Sequence, residues 1–284
     1  MSEQTLQGTI RKMHVSTTLE ADGVHLANYK LPIGEEQLGM NAIIGHNVSV
    51  KFTGNILCTH CGSKTKKSFN QGYCYRCLIK LAQCDSCIIK PELCHYSQGT
   101  CREPEWGEAN CLSDHFVYLS NTGALKVGIT RHVSDGVSSR WIDQGATQAL
   151  PILRVSERLV SGLVEQAAKP YIGDKTNWRV MLKAEPDALD IQARAKQILE
   201  SVEGDIADIT QSHGLQAVQA LDSSPISIRY PVIQYPDKVK SINLDKTPEF
   251  TGQLLGIKAQ YWMLDGDRVI NMRKYAGYEL SVSI

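Results

Sequence analysis

The stretch CTHCGSKTKKSFNQGYCYRC, residues 58–77, constrains this chain more than any other. It sets two Cys-x2-Cys pairs twelve residues apart, Cys58 with Cys61 and Cys74 with Cys77. Two thiolates three positions apart on a tight turn can share one ion, and a second such turn completes a tetrahedral zinc site, the signature of a zinc ribbon. A closed site stabilises a fold and presents a surface; with no open position it does not catalyse. All nine cysteines of the 284-residue chain fall between Cys58 and Cys111. An odd, clustered set behind an N-terminus (MSEQTLQGTI) that carries no apolar run after a basic segment argues for metal sites and against a disulfide framework.

Past the ribbon, Cys84, Cys87, Cys94, Cys101 and Cys111, with His95 beside Cys94, offer a second site. Cys84 and Cys87 are expected to supply two ligands and two of Cys94, Cys101 and Cys111 the others, for two structural zinc ions in all. An iron–sulfur cluster is the alternative, since four thiolates also suit one; the neighbouring ribbon favours zinc. His95 reads as an outer or surface residue, because adjacent residues rarely point at the same ion.

Charge gives a local signal only. Thirty Lys and Arg cancel thirty Asp and Glu, so no global field advertises a polyanionic partner. From Lys51 to Lys80, however, six basic residues occur and no acidic one. Lys64, Lys66, Lys67 and Arg76 of that patch are candidate contacts to a nucleic-acid backbone; a merely solvated face is the plain alternative. No run of 18 apolar residues occurs, so a membrane span is not expected, and a soluble, cytoplasmic protein is.

The pattern implies an α+β protein in five parts. Residues 1–57 alternate in short β-like runs such as HLANYKL and HNVSVKF and read as an N-terminal β module. The cysteine block spans 58–111, and a mixed α/β core spans 112–184, with helices near 138–143 and 156–168 and a strand at WRVML. A helical segment occupies 185–224, starting near Pro186 and Asp187, with Ile191, Ala195, Ile198, Leu199 and Val202 at helical spacing. Residues 225–284 return to β, with strands at QLLGIKAQYWML, RVINMRKY and YELSVSI, as a C-terminal module able to pack on the first.

Within the core, HFVYLSNTGALKVGITRH (115–132) reads as two strands joined by a Gly-containing turn, each interrupted by a polar residue, Tyr118 or Lys126. VYL, KVGIT, SSRWI, LVEQAAKPYI and TNWRVML resemble, in order, the parts of a GIY-YIG endonuclease domain. That resemblance covers about 65 residues. It matches Tyr118 to the family's first tyrosine, Gly128 to its glycine, Arg140 to the helix arginine, Glu165 to the carboxylate that binds one divalent metal, and Asn177 to the asparagine near the last strand. Lys126 stands where the second tyrosine is usual, and the first motif reads FVY without its glycine. The joining of a cysteine array to such a core is also similar to an uncharacterised bacterial family known only as a domain of unknown function.

The resemblance implies a nuclease dependent on Mg²⁺ or Mn²⁺, acting on DNA or RNA. The chemistry of the residues agrees. A tyrosine beside a lysine gains phenolate character and can act as general base, Arg140 has the fork for a phosphate oxygen, and Glu165 can hold a Mg²⁺ that keeps most of its waters. A non-catalytic DNA- or RNA-binding zinc protein is the competing reading. Plain alternatives exist for each residue: a half-buried strand tyrosine, an edge-strand lysine, an Arg140 stacked near Trp141, and a Glu165 that merely flanks an apolar helix face, with Glu157 the other carboxylate two turns away. His115, His132 and Lys175 carry no assigned role.

Overall fold

The computed structural model describes residues 4–134, 136–172 and 177–284; Lys175 lies outside them. Strands β1 (Thr5–Thr9), β2 (His14–Leu19), β3 (His25–Ile33), β4 (Glu36–Gly39) and β5 (Asn47–Ile56) precede the cysteine block. Next come β6 (His115–Asn121), β7 (Leu125–Thr130), β8 (Gln148–Val155), β9 (Val218–Ala220) and β10 (Ile226–Arg229). The set is completed by β11 (Lys240–Ser241), β12 (Glu249–Lys258), β13 (Tyr261–Leu264), β14 (Arg268–Asn271) and β15 (Tyr278–Ser283). The helices are α1 (Tyr75–Lys80), α2 (Pro104–Asn110), α3 (Ser139–Asp143), α4 (Arg158–Ala168), α5 (Trp178–Met181), α6 (Ile191–Ser201) and α7 (Glu203–His213). The class is α+β, and among the described residues no helix is long and apolar enough to cross a membrane.

Two sheets carry the fold. One runs β1-β15-β5-β12-β13-β14-β11; the other runs β2-β3-β10-β8-β6-β7, with β4 on β3 and β9 on β8. The residues before the cysteines therefore do not close on themselves. β1 and β5 pair with β15 and β12 near the other end of the chain, while β2–β4 join the second sheet through the parallel pair β3–β10. Alternating residues explain both layers of the second sheet. Val117, Leu119, Val127 and Ile129 face α4 and α6, whose Val160, Val164, Ile191, Ala195 and Ile198 complete one core. Tyr118 faces the opposite way into the core that Trp141, Ile142 and the first sheet fill.

Local chemistry fixes the connections. Asn121 Oδ1 accepts the Gly123 N–H at 3.1 Å in the β6–β7 turn, and Gly123 takes the positive φ of +97° that favours glycine. Ser138 caps α3, and Asp190 caps α6 by accepting the Ala193 N–H at 3.0 Å, so that helix begins past Asp187. The expected strand at WRVML is instead the short helix α5. Asn177 Oδ1 accepts from the Arg179 and Val180 N–H groups, and the Trp178 ring stacks on Tyr261 of β13 at 5.4 Å. A cap and a docked aromatic outweigh the β preference of Trp and Val. Likewise QLLGIKAQYWML is a hairpin that turns at Ala259 and Gln260, and RVINMRKY leaves the sheet after Asn271 in a 3-10 turn.

Candidate functional site

β7 is the edge strand of its sheet, and residues of it line a cleft of about 720 Å³ together with Thr59, His60 and Tyr73 of the four-cysteine ribbon. Lys126 and Gly128 of β7, Arg140 of α3 and Glu165 of α4 line it. Arg11 and Lys12 from the β1–β2 connection, Arg158 from the start of α4 and Arg273 from the turn after β14 also line it. Six cationic side chains thus face one carboxylate, although Lys12 is held by Asp143 at 2.6 Å.

Tyr118 lies directly beneath this surface. It pairs across the sheet with Gly128, and a Cβ at Gly128 would stand 2.6 Å from the tyrosine hydroxyl, so the ring occupies the space a side chain would take. The ring is fully buried, packs edge-on to Trp141 at 5.7 Å, and its hydroxyl donates to Gln144 Oε1 at 3.0 Å. Trp141 is therefore engaged with Tyr118 in the core and does not carry Arg140. Burial raises the Tyr118 hydroxyl to about 12 despite the adjacent Arg140, the reverse of the lowering expected from Lys126. Lys126 is the more perturbed toward neutrality: burial first, then repulsion by Arg140, lowers its ammonium to about 8 while Glu165 pulls the other way.

Other candidates fall elsewhere. Asn177 is exposed, caps α5 and does not line the cleft. Glu157 approaches His213 at 3.6 Å. Lys64, Lys66, Lys67 and Arg76 are exposed and none of them lines the cleft, with Lys67 over the Phe69 ring. His132 is exposed. His115 is fully buried, its Nδ1 bonded to the Ser113 carbonyl at 2.7 Å and its pKa lowered by burial to about 4.

The ribbon cysteines Cys58, Cys61, Cys74 and Cys77 gather within 4.8 Å of one another, a set that could hold a zinc ion. Four sulfurs each ~2.3 Å from one ion stand about 3.8 Å apart, and the Cys61 and Cys74 sulfurs are 3.8 Å apart. Hydrogen bonds from Ser63 pull the Cys61 thiol down to about 6, while burial, with the neighbouring thiols, pushes the Cys77 thiol up.

Residues 45–280 match the family described as "Protein of unknown function (DUF2797)". The chain belongs to this family. No curated protein and no solved structure matches it. Arg11 and Lys12 of the cleft precede the region that DUF2797 covers, while the ribbon, β6–β8 and α4 fall within it.

The second cysteine array of this DUF2797 chain departs from expectation. Cys84 turns toward the ribbon, packing on the cluster of Cys58, Cys74, Cys77 and Leu81. Cys87, Cys94, Cys101 and Cys111 line a separate small cavity. Asp85 and His95 come within 4.8 Å of Cys87. The array also touches the cleft wall: Arg158 donates its backbone N–H to the Cys111 carbonyl at 2.8 Å and its guanidinium to the Ile88 carbonyl at 2.5 Å. Gly162 of α4 presses against Pro91 and Glu92, where a Cβ would meet the Glu92 nitrogen at 2.4 Å.

Proposed function

We propose that this chain is a metal-dependent phosphodiesterase that cuts nucleic acid, a GIY-YIG-type nuclease whose zinc ribbon lines part of the substrate cleft. The observation that carries the reading is the convergence of Lys126, Arg140 and Glu165, from three different elements, on one open cleft with Tyr118 packed beneath it. Six cations around a single carboxylate suit a polyanionic backbone with room for one hard cation.

Glu165, half-buried in the cleft wall, is the residue that would hold Mg²⁺ or Mn²⁺, and such an ion would supply charge neutralisation at a phosphoryl oxygen. Lys126 takes the role first expected of Tyr118. It reaches the cleft, and its lowered pKa leaves a usable neutral fraction to accept the proton of the attacking water. Arg140 clamps a non-bridging oxygen. Tyr118 stays a neutral phenol and positions Gln144.

The second reading is a DNA- or RNA-binding protein without catalysis, favoured by the closure of Tyr118 from the cleft. Single-stranded, duplex and branched DNA and RNA in Mg²⁺ or Mn²⁺ separate the two. Glu165→Gln and Lys126→Met are expected to abolish cleavage and keep binding, whereas Tyr118→Phe is expected to retain most of the rate. Intact binding with no cleavage of any substrate by the unsubstituted protein would leave the second reading standing alone.

A further inference from the structure

Residues 82–98 run as a succession of single 3-10 turns, and little apolar burial holds them. Ile89 and Leu93 are exposed, and the buried residues of the segment are Ala82, Pro91 and, with its carboxylate, Asp85. A segment without a core of its own needs a staple. It also has a position to keep, since Gln83, Ile88, Ile89 and Pro91 line the cleft.

The hydrogen bonds around His95 point to that staple. Thr100 Oγ1 lies 2.8 Å from His95 Nδ1 and donates to the His95 carbonyl at 3.2 Å. A hydroxyl has one proton, and with that proton on the carbonyl, Oγ1 can only accept from Nδ1–H. The neutral ring therefore carries its lone pair on Nε2. That lone pair faces a second acceptor, Asp85 Oδ2, at 3.5 Å. A proton shared between the two would draw them to ~2.7–2.9 Å, the length of a charge-assisted hydrogen bond. A metal would not: a nitrogen and an oxygen each ~2.1 Å from one tetrahedral zinc stand about 3.4 Å apart. The Cys87 sulfur lies within 4.8 Å of a donor atom from each residue.

We propose that Asp85, Cys87 and His95 bind a zinc ion of their own, separate from the ribbon's. Its fourth position opens onto the small cavity that Cys94, Cys101 and Cys111 border, and one of those sulfurs closes the site. The cavity is about 20 Å³, on the scale of one water molecule and so of one ion. Cys84 is not a ligand, because it packs on the ribbon cluster. His95, expected from sequence to stand outside, is a ligand held in place by Thr100, as metal-bound imidazoles are by an oxygen on the other ring nitrogen. The charges close as well. Zinc with two thiolates, one carboxylate and a neutral imidazole carries a single negative charge, and Arg102, whose Nε donates to Asp85 Oδ2 at 2.6 Å, balances it. Each carboxylate oxygen has two lone pairs, so Oδ2 can serve both the guanidinium and the metal.

The test is the zinc content and zinc K-edge absorption spectrum of the full chain. About two zinc per chain are expected, bound between them by about six sulfurs and about two nitrogen or oxygen atoms. Asp85→Ala, Cys87→Ser and His95→Ala are each expected to lose one zinc and keep the ribbon's, while Cys84→Ser keeps both. One zinc per chain after reconstitution with excess zinc overturns the proposal, as does iron in its place or a spectrum with sulfur ligands alone. So does a folded Asp85→Ala, Cys87→Ser or His95→Ala protein that retains both ions, or a folded Cys84→Ser protein that loses one. Should these variants fail to fold, the stoichiometry and spectrum of the unsubstituted chain decide.

Discussion

Gly128 and Tyr118 form one unit, and neither can change without the other. Gly128→Ala places a methyl group where the phenol lies, so urea denaturation is expected to show a loss of about 1–3 kcal/mol, smaller when Tyr118→Leu has already emptied the space. Lys258 carries a second expectation. It is fully buried, donates to the Ala184 carbonyl at 3.2 Å and lies over the rings of Tyr230 and Tyr235, yet burial still lowers its pKa to about 8. Between that value and the 10.5 of an ordinary lysine, the unfolded chain binds the proton and the folded chain does not. Stability attributable to Lys258 therefore rises with pH across that window, by up to a few kcal/mol, and the cost of burying the charge is complete below pH 8. The stability difference between Lys258→Met and the unsubstituted protein should shift against the variant by that amount between pH 8 and 10.5. No sequence signal marks Lys258, because its cage is assembled from strands and loops far apart in the chain. The four ribbon cysteines, by contrast, were legible at once, since two knuckles twelve residues apart contain the whole site.

Among the elements, strands with a buried alternating pattern and helices with long apolar spacing were readable, and short segments were not. β6, β7 and α6 announce themselves because the side chains that stabilise them lie within the element or its turn. α5 did not, because four residues hold too little pattern and its conformation rests on Asn177 and on Tyr261 of another strand. Asn177→Ala is expected to lose about 1 kcal/mol of stability and, with the side chain outside the cleft, to leave nucleic-acid binding and any cleavage unchanged. A rate collapse in a folded Asn177→Ala protein would return that residue to the chemistry. For α4 the controlling residue is Gly162. Its substitution by Ala should push the helix off Pro91 and Glu92, and hydrogen exchange should show lost protection in both segments together.

At the scale of the whole molecule, Lys126 and Arg140 of the cationic cleft were read from the sequence, whereas Arg11, Lys12, Arg158 and Arg273 were not, because they join the other two only after folding. The basic run in the ribbon was visible, but its Lys64, Lys66, Lys67 and Arg76 do not line the cleft. Salt dependence of duplex binding distinguishes the two: Arg11→Gln and Arg273→Gln should each lower the slope by about 0.9, whereas Lys64→Gln, Lys66→Gln and Lys67→Gln should change it less. The seven-stranded sheet sets a clock for this assembly. β15 zips β1 to β5 and pairs Thr5 with Ser283, so the loop that must close before Arg11 meets Arg273 is nearly the length of the chain. The ribbon needs a loop of only twelve residues between its pairs. Local contacts form early and long-range sheet pairing late, so a refolding chain should assemble its four-cysteine set well before its cleft; on the proposed function, it then passes through an interval in which it is metal-loaded and inert.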